Sequence, residues 1–163
     1  MGKNKLARDL KISVQEAEDK IKHYMDTYPA VQKFMEEARE ESKKTGYAYS
    51  VLGRRRNIPM IGSSRKDQQA LGERLAVNHQ IQSSAADVCR AAQTMIHNYD
   101  LDTRYDTYII LQVHDELLFE SPEEAARLVV PEIEEIMSHP FSIELPCPLL
   151  VEAGIGPTWG DAH

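Results

Sequence analysis

Three ionisable residues, His114, Asp115 and Glu116, stand in a row between two apolar stretches. Residues 108–113 precede them and residues 117–119 follow them, so an antiparallel β-hairpin with a polar turn is predicted. A carboxylate at the end of a rigid strand provides an anchor for a hard divalent cation such as Mg²⁺. A solvated loop tip explains the same residues without any chemistry, and a two-metal site needs a second carboxylate from another segment.

A second group of polar side chains recurs at every fourth position and consists of Arg74, Asn78 and Gln82. On a helix this spacing forms one stripe along a single face. Such side chains contact phosphates, sugars and base edges without demanding a sequence, which makes the stripe a candidate nucleic-acid contact. The solvent-exposed side of an amphipathic helix accounts for the same spacing.

Three consecutive arginines, Arg54, Arg55 and Arg56, follow Gly53 and suit contacts with backbone phosphates. The net charge of −7 argues mildly against a nucleic-acid partner. Basic residues nevertheless concentrate between positions 54 and 74, so the middle of the chain could face an anion. Clusters of surface arginines are common, and the triplet alone is a weak signal.

The elements that must position these residues are predicted to form one α+β unit, with helices packed on a small antiparallel sheet. A helix is predicted from about residue 13 to 44, opened by a capping box of Ser13 and Glu16 and interrupted at Pro29. A long helix is predicted from about residue 65 to 99, and it carries the polar stripe.

The remaining elements are shorter. Residues 47–52 have the composition of a strand, and residues 148–153 are predicted to form a final strand. Ser121 is predicted to cap a helix, with Glu124 closing the capping box. No apolar run approaches the roughly 20 residues that span a bilayer, so the chain is expected to be soluble and cytoplasmic.

Several stretches, taken in chain order, resemble segments of the family A DNA polymerases. Motif C of that family is similar to LQVHDELLFE at residues 111–120, and a segment on the template-primer side of its palm is similar to ERLAVNHQIQSSAAD at residues 73–87. Further similar stretches are KLARDLKIS (5–13), TYPAVQKFME (27–36), GYAYSVLGRRR (46–56) and VEAGIGPTWGDAH (151–163). The resemblance covers essentially the whole chain, and so many motifs in register are highly specific.

This resemblance implies a partial polymerase palm whose β-hairpin carries motif C. Asp115 would be a ligand of the catalytic metals, Glu116 an auxiliary acid near them, and His114 a neighbour of the primer terminus. Two Mg²⁺ ions would activate the primer 3′-hydroxyl and neutralise the leaving pyrophosphate during in-line transfer from a dNTP.

The same resemblance implies that template-primer DNA is the partner, in DNA replication or repair. The duplex would be contacted mainly through its minor groove and sugars by Arg74, Asn78 and Gln82. Arg54 and Arg55 would help to hold it. Two departures from the family pattern are mild: Ser83 and Ser84 replace a usual Gly-Thr pair, and Tyr49 replaces a frequent Glu.

The larger departure concerns segments that have no match in this sequence. These are motif A, with the other metal-binding Asp, and the fingers helix that binds the dNTP. Residues 1–163 are therefore expected to be the C-terminal part of a polymerase domain, inactive alone and working with a second chain, or a truncated gene product. A non-catalytic DNA-binding or structural module is the alternative, and a nuclease using Asp115 and Glu116 is a weaker one. Exposed apolar surface and self-association are expected.

Overall fold

The computed structural model describes residues 2–141 and 147–162. The chain divides into two compact units, one made of residues 1–48 and 55–80 and the other of residues 49–54 and 81–163. The sequence predicted a single unit. The division follows the contacts of the short segment 49–54, which belongs with the second unit although both of its neighbours along the chain belong with the first. The α+β class itself is confirmed.

The first unit begins with three helices: α1 (Lys3–Leu10), α2 (Val14–Thr27) and α3 (Pro29–Thr45). The predicted capping box is confirmed, because the Glu16 amide donates to Ser13 Oγ over 3.1 Å and the Ser13 amide donates to Glu16 Oε2 over 2.9 Å. A cap of this kind contributes about 1 kcal/mol. Pro29 separates α2 from α3 as predicted, while α1 was not predicted.

The rest of the first unit packs a short sheet against a long helix. Strand β1 (Tyr47–Tyr49) pairs with β2 (Arg55–Asn57), and a 3-10 turn follows at Pro59–Gly62. A small core forms here from Ala48, Ile58, Ile61 and Ala76. Glycine is required at position 72 because a Cβ there would lie 2.8 Å from the Ile61 backbone nitrogen.

Helix α4 (Lys66–Asn98) is 33 residues long and continues from the first unit into the second. Its bounds agree with the long helix predicted from sequence. None of the helices within residues 2–141 and 147–162 combines the length and the apolar character that a bilayer span requires.

The second unit continues with helix α5 (Leu101–Tyr105), strands β3 (Tyr108–Val113) and β4 (Glu116–Glu120), and helix α6 (Glu123–Ser138). The two strands are antiparallel, as predicted, with an irregularity between residues 109 and 111. The core joins the end of α4 to α5 and α6, and the β4 side chains pack against it. Its buried members are Ile96, Leu101, Val129, Ile133 and Ile136, with Leu117 and Phe119 of β4 partly buried against them.

Strand β3 is covered less well than β4. Tyr108, Ile110 and Leu111 are each about half exposed, at 49%, 53% and 45%. Strand β3 therefore exposes apolar side chains, while the predicted packing of further polymerase segments on such surface and the predicted self-association stay predictions.

Two predictions of local structure were wrong. Residues 148–153 form no strand, and the described hairpin of β3 and β4 has no third strand for them to join. Helix α6 begins at Glu123 with Pro122 as its N-cap and no side-chain cap. The Ser121 hydroxyl instead lies 2.8 Å from the Thr107 hydroxyl, because the short polar side chain finds its partner across the fold.

Candidate functional site

The turn between β3 and β4 contains only two residues, His114 and Asp115, because Val113 pairs directly with Glu116. Such tight turns need positive φ and usually contain Gly, Asn or Asp. Here His114 has φ 55°, in the left-handed region that β-carbon sterics disfavour. His114, Asp115 and Glu116 are all exposed, so the structure brings the three predicted residues together at an open strand end.

Helix α4 is joined to this turn by hydrogen bonds that pass through the side chain of Gln112. One amide group of Gln112 makes three contacts: its nitrogen donates to the His114 carbonyl over 3.0 Å and lies 3.2 Å from Cys89 Sγ, and its oxygen accepts from Gln93 Nε2 over 2.9 Å. Cys89 and Gln93 stand one helical turn apart on α4, so both face the strand. We refer to Cys89, Gln93 and Gln112 as the amide network.

One feature of the sequence indicates this network. Gln112 is a polar residue in an otherwise apolar strand, and a polar group at such a position normally has a specific partner. The partners themselves lie 19 and 23 positions away on α4. Spacing along the sequence could not identify them.

Cys89 lies beneath the turn as a buried free thiol. Burial raises the pKa of this thiol, and the negative charge of Asp115 raises it further. Cys89 is therefore held in its neutral form, as a hydrogen-bonding partner and not as a thiolate nucleophile.

A shallow open pocket of about 450 Å³ lies beside the turn. It is lined by residues 113–116 and by Trp159 and Gly160 of the C-terminal segment. This segment folds tightly onto itself, since a Cβ at Gly154 would overlap the carbonyl of Ala162. Sequence reasoning did not connect Trp159 with the turn.

The side chains at the turn are of the type that binds a hard cation, but there are too few of them. Asp115 and Glu116 offer carboxylate oxygens, which Mg²⁺ prefers. Within the described ranges, however, no three His, Cys, Asp or Glu side chains converge closely enough to hold a metal ion. The described residues therefore do not form a complete metal site at this turn.

A second turn, residues 50–54, is also fastened to α4. The Arg54 guanidinium forms an ion pair with Asp87 and donates to the Ser83 carbonyl over 3.3 Å. The Val51 amide donates to Ser84 Oγ over 2.9 Å. The Asp87 side chain is only 5% exposed, so the cation of Arg54 is matched to a buried anion.

The next two arginines have different surroundings. Arg55 and Arg56 are exposed on β2, and the Arg55 guanidinium lies over the Tyr47 ring, 5.0 Å from its centroid. A cation–π contact of this kind orients the side chain while leaving its charge unneutralised.

The predicted polar stripe is exposed at all three positions on the continuous helix α4. Arg74 and Asn78 belong to the first unit and Gln82 to the second. Within the first unit, Arg74 and Asn78 are four residues apart, so their side chains lie on the same side of the helix.

Comparison with known proteins assigns the chain to a family. The sequence model described as DNA polymerase family A matches residues 1–161. The chain is 40% identical over 159 residues to DNA polymerase I of Treponema pallidum and 36% identical over 157 residues to DNA polymerase I of Bacillus caldotenax. These matches cover 98% and 96% of this chain but only 16% and 18% of the two curated relatives.

Among solved structures, the fold is similar to the POL domain of Pol1 from M. smegmatis, in a complex with a DNA primer-template and dNTP. The TM-score is 0.91 and the sequence identity 35%. The similarity covers 99% of this chain and 28% of that one.

Proposed function

Because the chain belongs to DNA polymerase family A, we propose that it contributes a metal-binding carboxylate and template-primer contacts to a DNA-directed DNA polymerase acting in replication or repair. The observation that carries the proposal is the two-residue turn at the end of β3. It exposes Asp115 and Glu116 while the Gln112 side chain fixes the backbone behind them.

In this proposal Asp115 is the metal ligand, Glu116 an auxiliary acid and His114 a neighbour of the primer terminus. When bound, two Mg²⁺ ions would supply activation of the primer 3′-hydroxyl and neutralisation of the pyrophosphate. The turn contributes carboxylate oxygens on a backbone that is already ordered, so little conformational entropy is lost when a cation is held.

The proposed DNA contacts differ in whether the side chain is exposed or already paired within the protein. Arg74, Asn78 and Gln82 offer exposed hydrogen-bonding groups to the duplex, and Arg55 offers an exposed cation. Arg54 also helps to hold the template-primer, but indirectly, since its own charge is paired with Asp87. It anchors the turn from which Arg55 continues.

The second metal-binding carboxylate and the dNTP-binding groups are proposed to come from segments outside these 163 residues. We therefore expect the 163 residues alone not to extend a primer. The proposed setting is the cytoplasm, with DNA and dNTP as partners of the complete enzyme.

Complementation tests this function. The chain is mixed with a fragment that carries the remainder of a relative's polymerase domain, and Mg²⁺-dependent primer extension is measured. Extension is expected for the mixture and for neither part alone. Asp115→Asn should lower its rate at least about 100-fold, since a metal ligand matters more than the outer groups that support it.

The matched control is Asp106→Asn, which changes an exposed Asp at positive φ in the same unit and should retain the rate. Extension that survives Asp115→Asn would refute the metal-ligand assignment. If the mixture never extends a primer, while the chain alone binds DNA in a salt-sensitive manner through Arg74, the non-catalytic DNA-binding module is the better description. The exposed stripe on α4 is the feature that favours this alternative, because its contacts need no metal.

A further inference from the structure

Gln93 is a polar residue of α4 that the proposed function does not use. Its side-chain nitrogen donates to Gln112 Oε1 over 2.9 Å, and Gln112 in turn donates to the His114 carbonyl over 3.0 Å. The amide of Gln112 is thus engaged on both sides, by Gln93 at the oxygen and by Cys89 and His114 at the nitrogen. A terminal amide rotates easily, and a partner at its oxygen fixes which end faces His114.

The carbonyl that receives this contact occupies a sensitive place in the turn. It belongs to the peptide group joining His114 to Asp115, so its direction sets the plane from which the Asp115 side chain departs. His114 itself has φ 55°, a conformation that a residue with a β-carbon keeps only when its surroundings hold it. The hydrogen bond from Gln112 is such a restraint.

We infer that Gln93 is a positioning residue for Asp115, acting through Gln112 and the His114 carbonyl. The inference rests on the proposed role of Asp115 as a metal ligand. In this arrangement α4 sets the orientation of the carboxylate without placing any charge beside it, because the groups in the amide network are all neutral.

A purely structural role predicts a different result. If the contact between Gln93 and Gln112 merely joined the helix to the hairpin, its loss would weaken the whole second unit evenly. If the contact positions the turn, its loss will destabilise residues 114–116 before the rest of the second unit.

Hydrogen exchange of the 163-residue chain, followed by NMR, separates these two roles. Gln93→Met keeps the size of the side chain and removes its donor. We expect exchange of the Glu116 amide, at the end of the ladder, to accelerate about two- to tenfold, the range that one net hydrogen bond supports. The amides of Ile96 and Ile133 in the core should keep their rates.

Two further variants complete the measurement. Gln69→Met, at another half-buried Gln of α4, is the control and should leave the turn unchanged. In a Gln112→Met background the effect of Gln93→Met should disappear, because residues of one network are not additive. Equal acceleration at Glu116, Ile96 and Ile133, or none at Glu116, would overturn the inference.

The complemented enzyme provides a second readout. Gln93→Met should lower kcat several-fold and raise the Mg²⁺ concentration needed for half-maximal rate, with the KM for template-primer unchanged. A rise in that KM with kcat retained would contradict positioning of the carboxylate. If the unaltered mixture does not extend primers, the proposed function fails, and the exchange experiment still decides the role of Gln93.

Discussion

Two turns of the second unit are fastened to helix α4 by opposite chemistry. Residues 50–54 are held by the ion pair of Arg54 with buried Asp87, whereas the turn at His114 and Asp115 is held by the neutral amide network. At residues 50–54, the charge of Arg54 is neutralised by the Asp87 carboxylate. The second support, the amide network, contains no charged group. The fold therefore already engages the charge of Arg54, and whether this residue contacts DNA stays a prediction.

The largest effect is expected at the ion pair. Arg54→Met leaves the Asp87 carboxylate buried without its cation and should lower the free energy of unfolding by about 2–3 kcal/mol, less than for a fully buried pair because Arg54 is 39% exposed. Urea denaturation measures this loss.

Arg56→Met is the matched control, at an exposed arginine two residues further on, and should change stability by less than about 0.5 kcal/mol. Replacing both partners, as Arg54→Met with Asp87→Leu, should recover much of the loss. Equal stability of the Arg54→Met variant and the unaltered chain would show that the ion pair contributes nothing to the free energy of unfolding.

DNA binding offers a sharper test of which arginine carries available charge. Arg55→Ala removes an exposed cation and should reduce the slope of log affinity against log salt by about 1, the value for one lost phosphate contact. The Arg54→Met, Asp87→Leu double variant removes a charge that is already paired, so its slope should match that of the unaltered chain. Fluorescence anisotropy with a labelled template-primer at several salt concentrations gives both slopes. If the double variant and Arg55→Ala reduce the slope equally, the proposed difference between Arg54 and Arg55 is wrong.

The smallest effect concerns an ion pair at the surface of the same unit. Glu132 accepts from Arg104 at 2.8 and 2.9 Å and from the Tyr105 hydroxyl, and these hydrogen bonds lower its pKa below the ordinary value of a glutamate. A lowered pKa means that the stabilisation is complete above the ordinary value and is lost as the pH falls through the lower, folded-state value. Glu132→Gln should therefore reduce stability at pH 7 by about 0.2–1 kcal/mol.

Thermal unfolding at two pH values checks this prediction. The difference in Tm between the unaltered chain and Glu132→Gln should be present at pH 7 and vanish in strong acid. Glu134→Gln, on the same helix, is the control. A difference that persists in strong acid would mean that Glu132 acts by packing and not by charge.

Local signals in the sequence predicted the elements well where the interactions are themselves local. The capping box joins Ser13 and Glu16, which are three positions apart, and the break at Pro29 follows from one proline ring. The hairpin was predicted because its turn and both strands are adjacent in the chain.

Interactions between distant residues account for what sequence reasoning missed. Residues 148–153 have the composition of a strand, but a strand also needs a neighbour, and composition does not provide one. Ser121 has the right type for a cap, yet its hydroxyl pairs with Thr107, 14 positions away. Arg54 meets Asp87 across 33 positions, so its type predicted an anion but not which one. The roles of Asp115, Glu116, His114 and the α4 stripe stay predictions.

Helix α4 also limits how the chain can change length. The contacts of both turns are made within residues 83–93, about three turns of one helix. One residue inserted between Asp87 and Cys89 would rotate everything beyond it by about 100° and carry Cys89 and Gln93 away from the strand. Insertions and deletions should therefore be found outside residues 83–93, and an engineered insertion between Asp87 and Cys89 should disconnect the turn at His114 while sparing residues 50–54.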